Sequence, residues 1–134
     1  MMPDEAARHA DVVVRYGAEG AWPRLVADFK AGRMKPRYEG LRAGVFDEAN
    51  CVMPRFELLR GRPYNRITVQ TSRGCPLDCE FCAASLRITS SFQQKPVERA
   101  IAEIRHALAV TERPFFELAD DNTFVNKGWG KEFL

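Results

Sequence analysis

Three cysteines crowd one short stretch of the chain, Cys75-Pro76-Leu77-Asp78-Cys79-Glu80-Phe81-Cys82, at C-x3-C-x2-C spacing. A thiolate is a soft ligand suited to zinc or to iron–sulfur clusters, and a tight loop lets three of them converge on one inorganic centre. The ligand count separates the two. A structural zinc site takes four protein ligands. The other candidates are remote, since His9 and Cys51 are distant in sequence and His106 is expected on a solvated helix face. A four-iron cluster on three cysteines leaves one iron without a protein ligand, which is an open position for a small molecule and a catalytic arrangement. Beside it stand two alternatives, a small zinc or electron-transfer iron–sulfur module and a non-functional fragment.

Composition bounds what surrounds that motif. At 134 residues the chain has room for one domain or for pieces of two. Hydrophobic residues at 46% and charged residues at 28% are the balance of a globular chain, so a core is expected. Twenty Lys+Arg against eighteen Asp+Glu leave a net charge of +2 with the signs interspersed, which lends nucleic-acid binding no support. No apolar run exceeds the four residues of Ala107 to Val110, far short of the roughly 20 needed to span a bilayer. Met1-Met2-Pro3-Asp4-Glu5 carries acid where a secretory leader carries base, and no apolar stretch follows. The expectation is therefore a cytoplasmic protein with no membrane partner. In a reducing compartment, clustered cysteines point to metal before disulfides.

The elements that must position the cysteines follow from hydrophobic period. Val12-Val13-Val14 predicts a strand, and Trp22, Leu25, Val26 and Phe29 at helical spacing predict an amphipathic helix with Trp22 and Phe29 in the core. Gly17 and Gly20 supply the turn between them, and Gly32 is placed to end the helix. From Gly32 to Tyr64 no period lasts, and Gly, Pro and Arg recur, as a connector would have it. Within it Pro54 to Leu59 predicts one short helical turn docking through Phe56, Leu58 and Leu59.

Ile67 to Thr71 predicts a strand that stops at Ser72-Arg73-Gly74 and feeds the cysteine loop. Pro96 at a first helical position, then Val97, Ala100, Ile101, Ile104 and Leu108, predicts the next helix. Phe115 to Leu118 predicts a second strand ending at Ala119-Asp120-Asp121-Asn122. Together they make a βαβ unit, for which a right-handed parallel crossover is the default. The cysteines then lie at the carboxyl end of its first strand, the edge where α/β sheets and barrels bind ligands.

These residues resemble the radical S-adenosylmethionine superfamily, whose hallmark is a C-x3-C-x-aromatic-C loop after the first strand of a (β/α)6 barrel. Cys75, Cys79 and Cys82 match the cluster ligands, and Phe81 matches the aromatic beside the cofactor. Thr71-Ser72-Arg73-Gly74-Cys75-Pro76 is similar to the branch with an N-terminal cobalamin-binding domain, as is the Phe-x-x-Asp-Asp-x-x-Phe type of run at the end of the second strand, here Leu118-Ala119-Asp120-Asp121-Asn122-Thr123-Phe124. The resemblance implies a [4Fe–4S] cluster and S-adenosylmethionine as cofactors. It also implies a low-potential flavodoxin- or ferredoxin-type reductant as partner and a 5′-deoxyadenosyl radical made by reductive cleavage. Asp120 and Asp121 stand where the superfamily often has Gly-Gly-Glu touching the amino group of the methionine moiety, and carboxylates suit an ammonium.

Two departures shape the expected fold, a missing cobalamin signature and a chain that stops at Leu134 shortly after the second barrel strand. The cobalamin signature Asp-x-His-x-x-Gly is absent, with His9 instead in Ala7-Arg8-His9-Ala10-Asp11-Val12, so cobalamin, a candidate cofactor for a full-length relative, is not expected in this chain. The expected architecture is α/β, a partial radical S-adenosylmethionine (β/α)6-type barrel preceded by the last βα unit of a cobalamin-binding Rossmann-like domain. Residues 1–33 would be that unit, 34–64 a linker and 65–134 the first part of the barrel, as in a truncated fragment. Such a sheet would leave an open edge beside the second strand, which invites self-association. The substrate is not legible.

Overall fold

The computed structural model describes residues 2–62, 64–77, 79–82, 91–112 and 115–134. They form a mixed α/β fold in which two short parallel strand pairs are each joined through a helix. The first pair is β1 (Val13–Arg15) with β2 (Arg37–Glu39), in register Val14 opposite Tyr38. The second is β3 (Arg66–Val69) with β6 (Phe115–Leu118), in register Ile67 opposite Phe116. Between β3 and β6 in sequence comes a small antiparallel pair, β4 (Ser72–Arg73) with β5 (Gln93–Gln94). Helices α1 (Pro3–Ala6), α2 (Trp22–Lys30), α3 (Val97–Val110) and α4 (Lys127–Phe133) complete the described elements, with 3₁₀ turns at Ala18–Gly20 and Phe56–Leu59.

The segment expected as a featureless connector contributes β2. Its alternation is only three residues long, too short to read as a period, yet Tyr38 is buried at its centre. The Tyr38 hydroxyl donates to Asp28 at 3.0 Å and so ties the strand back to α2. Gly40, just past β2, lies so close to β1 that a Cβ there would sit 2.0 Å from the Gly17 carbonyl oxygen, so only glycine fits.

Helix α2 lies where expected but turns a different face inward. Trp22 is 58% exposed and Phe29 66% exposed, which corrects their assignment to the core. Polar contacts set the rotation. Arg24 donates to the Glu39 carbonyl at 2.6 Å and Asp28 receives Tyr38, so the face carrying Arg24 and Asp28 meets β2 while Trp22 and Phe29 stay exposed.

The crossover helix α3 buries Val97, Ala100, Glu103 and Ala107. Pro96 is its N-cap residue, one position earlier than expected. Leu108, one residue beyond Ala107 and about 100° round the helix, is exposed and lies off the stripe. Two apolar clusters form on this helix. Ala107 packs with Phe56 and Ile67, joined by Leu59, Val110 and Phe116. Val97 and Ala100 pack with Trp129, joined by Ile101 and Phe133. The expected turn at Pro54 to Leu59 is thus present and docks through Phe56 and Leu59, whereas Leu58 is exposed. His106 is not simply solvated, because its ring sits 5.8 Å from that of Phe56 and its Nε2 3.6 Å from Glu57.

Helix α4 has no counterpart in the expectations. Asn126 caps it, its side-chain oxygen accepting from the Gly128 and Trp129 N–H groups. Trp129 is buried, stacks on Phe133 at 4.8 Å and donates its indole N–H to the Lys95 carbonyl at 2.7 Å. Among the described residues, no helix is long and apolar enough to cross a membrane.

Candidate functional site

The cysteine segment leaves the sheet at the carboxyl end of β3 through a narrow neck. Ser72 pairs with Gln94 and Arg73 with Gln93, and the Lys95 N–H donates to the Thr71 carbonyl at 2.8 Å. Gly74 follows with φ of +79°, the left-handed turn that glycine makes without strain, and swings the chain into Cys75. Cys79 and Cys82 close a tight turn in which the Cys82 N–H donates to the Cys79 carbonyl at 2.9 Å. Such a turn holds its end α-carbons within about 7 Å. Cys75 and Cys79 carry free thiols, and Cys75, Cys79 and Cys82 are all partly exposed. Cys51 is buried elsewhere, as a small hydrophobe. Phe81, on the tip of the turn, is 92% exposed.

Three thiol side chains on one ligand-edge loop are a donor set that suits a soft metal centre. Among the described residues no three His, Cys, Asp or Glu side chains are gathered as a metal site. Asp78 and residues 83–90 of this segment lie outside the described residues.

The two aspartates expected at the cofactor have different surroundings. The Asp120 Oδ1 accepts from the Thr71 and Ser72 N–H groups at 2.8 Å each, and its Oδ2 accepts from the Thr71 hydroxyl and from the Thr123 hydroxyl at 2.8 Å. Asp121 is exposed. Both line a cavity of about 600 Å³ at the carboxyl ends of β3 and β6, with Gln70, Ser72, Arg73 and Gly74 on the other wall. Ser72 is buried, and its hydroxyl oxygen has no hydrogen-bond partner among the described residues.

Behind the neck lie two ion pairs that sequence reasoning missed. Lys95 Nζ and the Glu103 carboxylate pair at 2.7 and 2.9 Å with side chains only 5% and 3% exposed. Glu103 sits three residues after Ala100 and four before Ala107, so its place on the buried stripe was the available signal. Arg73 pairs with Glu19 at 2.8 Å and donates to Gln70 at 3.0 Å. Burial raises the Glu19 carboxyl, but the hydrogen bond and charge of Arg73, with a backbone hydrogen bond, leave it below its ordinary value. Arg73 and Lys95 both approach the Phe46 ring, at 5.7 and 5.4 Å from its centroid. Glu19 follows β1, so this pair fastens the first strand pair to the neck of the cysteine segment.

The chain is similar to methyltransferases. It is 28% identical to the bacteriochlorophyllide d C-8(2)-methyltransferase of Chlorobaculum tepidum, over 93% of this chain and 30% of that protein. It is 26% identical to the bacteriochlorophyllide d C-12(1)-methyltransferase of the same organism, over 100% of this chain and 30% of that protein. The hopanoid C-3 methylase of Methylococcus capsulatus is 26% identical over 91% of this chain and 26% of its own length. The chain thus spans about 30% of the length of the first curated relatives it matches. No protein-family model and no solved structure matches it.

Proposed function

We propose that residues 65–134 are the first βαβ unit of a radical S-adenosylmethionine methyltransferase barrel, with Cys75, Cys79 and Cys82 as ligands of a [4Fe–4S] cluster. Residues 1–33 are the end of a cobalamin-binding-like domain and 34–64 the linker, with β2 as the strand this linker lends back to that domain. The observation that carries the reading is the placement of the C-x3-C-x2-C segment. It leaves the carboxyl edge of a parallel strand pair beside a cavity of about 600 Å³, in a chain similar to methyltransferases. When bound, the cluster supplies the electron for reductive cleavage of S-adenosylmethionine, drawn from a flavodoxin- or ferredoxin-type donor.

The chain's own residues divide the binding work. Asp120 is committed to four protein donors, so Asp121 is the carboxylate left to meet the ammonium of the methionine moiety, a charge-assisted contact. Phe81, exposed between Cys79 and Cys82, is available to cover the cofactor from solvent.

Anaerobic reconstitution with iron and sulfide tests the reading. Each of Cys75→Ala, Cys79→Ala and Cys82→Ala is expected to abolish iron and sulfide uptake, and Cys51→Ala to leave it intact. Asp121→Asn is expected to weaken S-adenosylmethionine binding about tenfold in equilibrium dialysis, the loss of one charge-assisted hydrogen bond. Uptake of zinc without sulfide, or loss of iron on Cys51→Ala, would overturn it.

A further inference from the structure

We propose that Asp120 is the positioning residue of the cysteine loop: by accepting from the Thr71 and Ser72 N–H groups, its carboxylate locks the exit of β3 to the exit of β6 and sets where the loop leaves the sheet. Its functional meaning depends on this loop being the cluster site. The clamp itself does not.

The geometry favours this role over cofactor contact. Both carboxylate oxygens of Asp120 are occupied, Oδ1 by two backbone donors and Oδ2 by the Thr71 and Thr123 hydroxyls. An incoming ammonium would have to displace donors that are themselves buried, since Thr71 and Ser72 are among the most buried residues of the chain. Asp121, the adjacent carboxylate, is exposed and needs no such displacement.

The loop also needs the clamp. Its neck is a pairing of two residues on each side, Ser72–Gln94 and Arg73–Gln93, and a ladder that short is marginal on its own. The Lys95 N–H to Thr71 carbonyl bond extends the neck on the side of β5. On the side of β6, Asp120 supplies the tie, reaching back across 48 and 49 residues of sequence to the two residues that precede Arg73 and Gly74. With N–H groups of consecutive residues gripped by one oxygen, the backbone direction into Gly74, and from there to Cys75, is set by β6. The Thr123 hydroxyl in turn holds the carboxylate in that orientation.

The test compares wild type with Asp120→Asn, Asp120→Ala and Thr123→Val in the full chain, first without iron. Maleimide alkylation followed by mass spectrometry reports each cysteine separately. Asp120→Ala is expected to raise the Cys75 rate about tenfold, the order expected when hydrogen bonds to a charged acceptor no longer oppose local opening. Cys51, buried elsewhere, is expected to keep its wild-type rate. Asp120→Asn keeps an oxygen for the two N–H groups and is expected to stay within about twofold of wild type, with Thr123→Val between it and Asp120→Ala. Iron retained per chain after reconstitution should follow the same order, with Asn rescuing what Ala loses. An unchanged Cys75 rate in Asp120→Ala, an equal rise at Cys51, or an Asn variant as loose as Ala would each overturn the proposal. Wild type that takes up no iron would instead sink the cluster reading, while the alkylation rates still decide the clamp.

Discussion

The pair β1–β2 and the pair β3–β6 are each two short parallel strands joined through a helix, yet their helices meet the strands in different ways. Helix α3 sends Val97, Ala100 and Ala107 into apolar clusters and buries a charge, Glu103, among them. Helix α2 buries none of its residues and meets β2 through Arg24 and Asp28. An apolar stripe at helical spacing thus says that a helix forms, and the partners on both faces decide which stripe goes in. Around α3 there are two such partners, the 3₁₀ turn holding Phe56 and the helix holding Trp129. Around α2, Trp22 lines an open cavity with Val45 and Phe46 and stays 58% exposed, and Phe29 is 66% exposed.

The largest test of that contrast is the buried pair behind the cysteine neck. Glu103→Ala leaves the Lys95 ammonium buried without its partner, which costs about 3–5 kcal/mol. Urea denaturation is the measurement, and a loss under about 1 kcal/mol would show that the second unit tolerates an unpaired buried charge. A double change, Lys95→Met with Glu103→Leu, is expected to recover much of the loss, because apolar residues of similar volume can replace a buried ion pair without penalty.

Next in size is the link between the two units. Glu19→Gln keeps the shape but removes the charge that Arg73 faces at 2.8 Å. For a part-exposed pair the expected loss is about 0.2–1 kcal/mol. Because the Glu19 carboxyl is held below its ordinary value, this stabilisation is present above the unfolded glutamate value, about 4.3. It is lost as pH falls through the lower folded value. Urea midpoints of wild type and Glu19→Gln are therefore expected to converge in acid, and a difference that persists there would mean that the charge is not what joins the units.

What could be read from the residues follows the same division. The βαβ unit carrying the cysteines was legible because its strands and helix each hold a clean period and a punctuating residue, Gly74 at one end and Pro96 at the other. Strand β2 was not, since Arg37-Tyr38-Glu39 is too short for a period and its partner β1 precedes it by more than twenty residues. The rotation of α2 was hidden because it depends on Arg24 and Asp28 finding β2, a tertiary fact. At the site, the motif placed Cys75, Cys79, Cys82, Asp120 and Asp121 on one edge, but adjacency in sequence could not say which aspartate is spent on the backbone. Helix α4 is hard to read because Lys127-Gly128-Trp129-Gly130 after Asn126 holds two poor helix formers and no apolar run, leaving the Asn cap as its one local signal.

A smaller effect sharpens the reading of α2. Phe29→Ser swaps residues of similar helix propensity at a position 66% exposed, so its cost is expected within about 0.5 kcal/mol. Ile67→Ala, in the cluster with Phe56 and Ala107, is the control and should cost about 2–5 kcal/mol. A loss above about 2 kcal/mol at Phe29 would mean that the α2 stripe is packed after all and that the two units are alike.

The smallest expected effect lies in the contact that turns α2 toward β2. Asp28 accepts from Arg33 at 2.9 Å and from the Tyr38 hydroxyl at 3.0 Å. The Arg33 hydrogen bond first, then that of Tyr38, holds its carboxyl below the ordinary aspartate value against a smaller effect of desolvation. A depressed carboxyl stabilises the fold above its unfolded value, about 3.9, and the contribution fades as pH falls through the lower folded value. Asp28 is part-buried but its charged partner Arg33 is exposed, so global stability should barely register the pair, and the local reporter is the Tyr38 ring. Its NMR shifts are expected to titrate with a midpoint below 3.9 in wild type and to be flat over that range in Asp28→Asn. A Tyr38 titration at or above the ordinary aspartate value would mean that Asp28 is not held by these donors, and the polar contact would then not explain why Trp22 and Phe29 face outward.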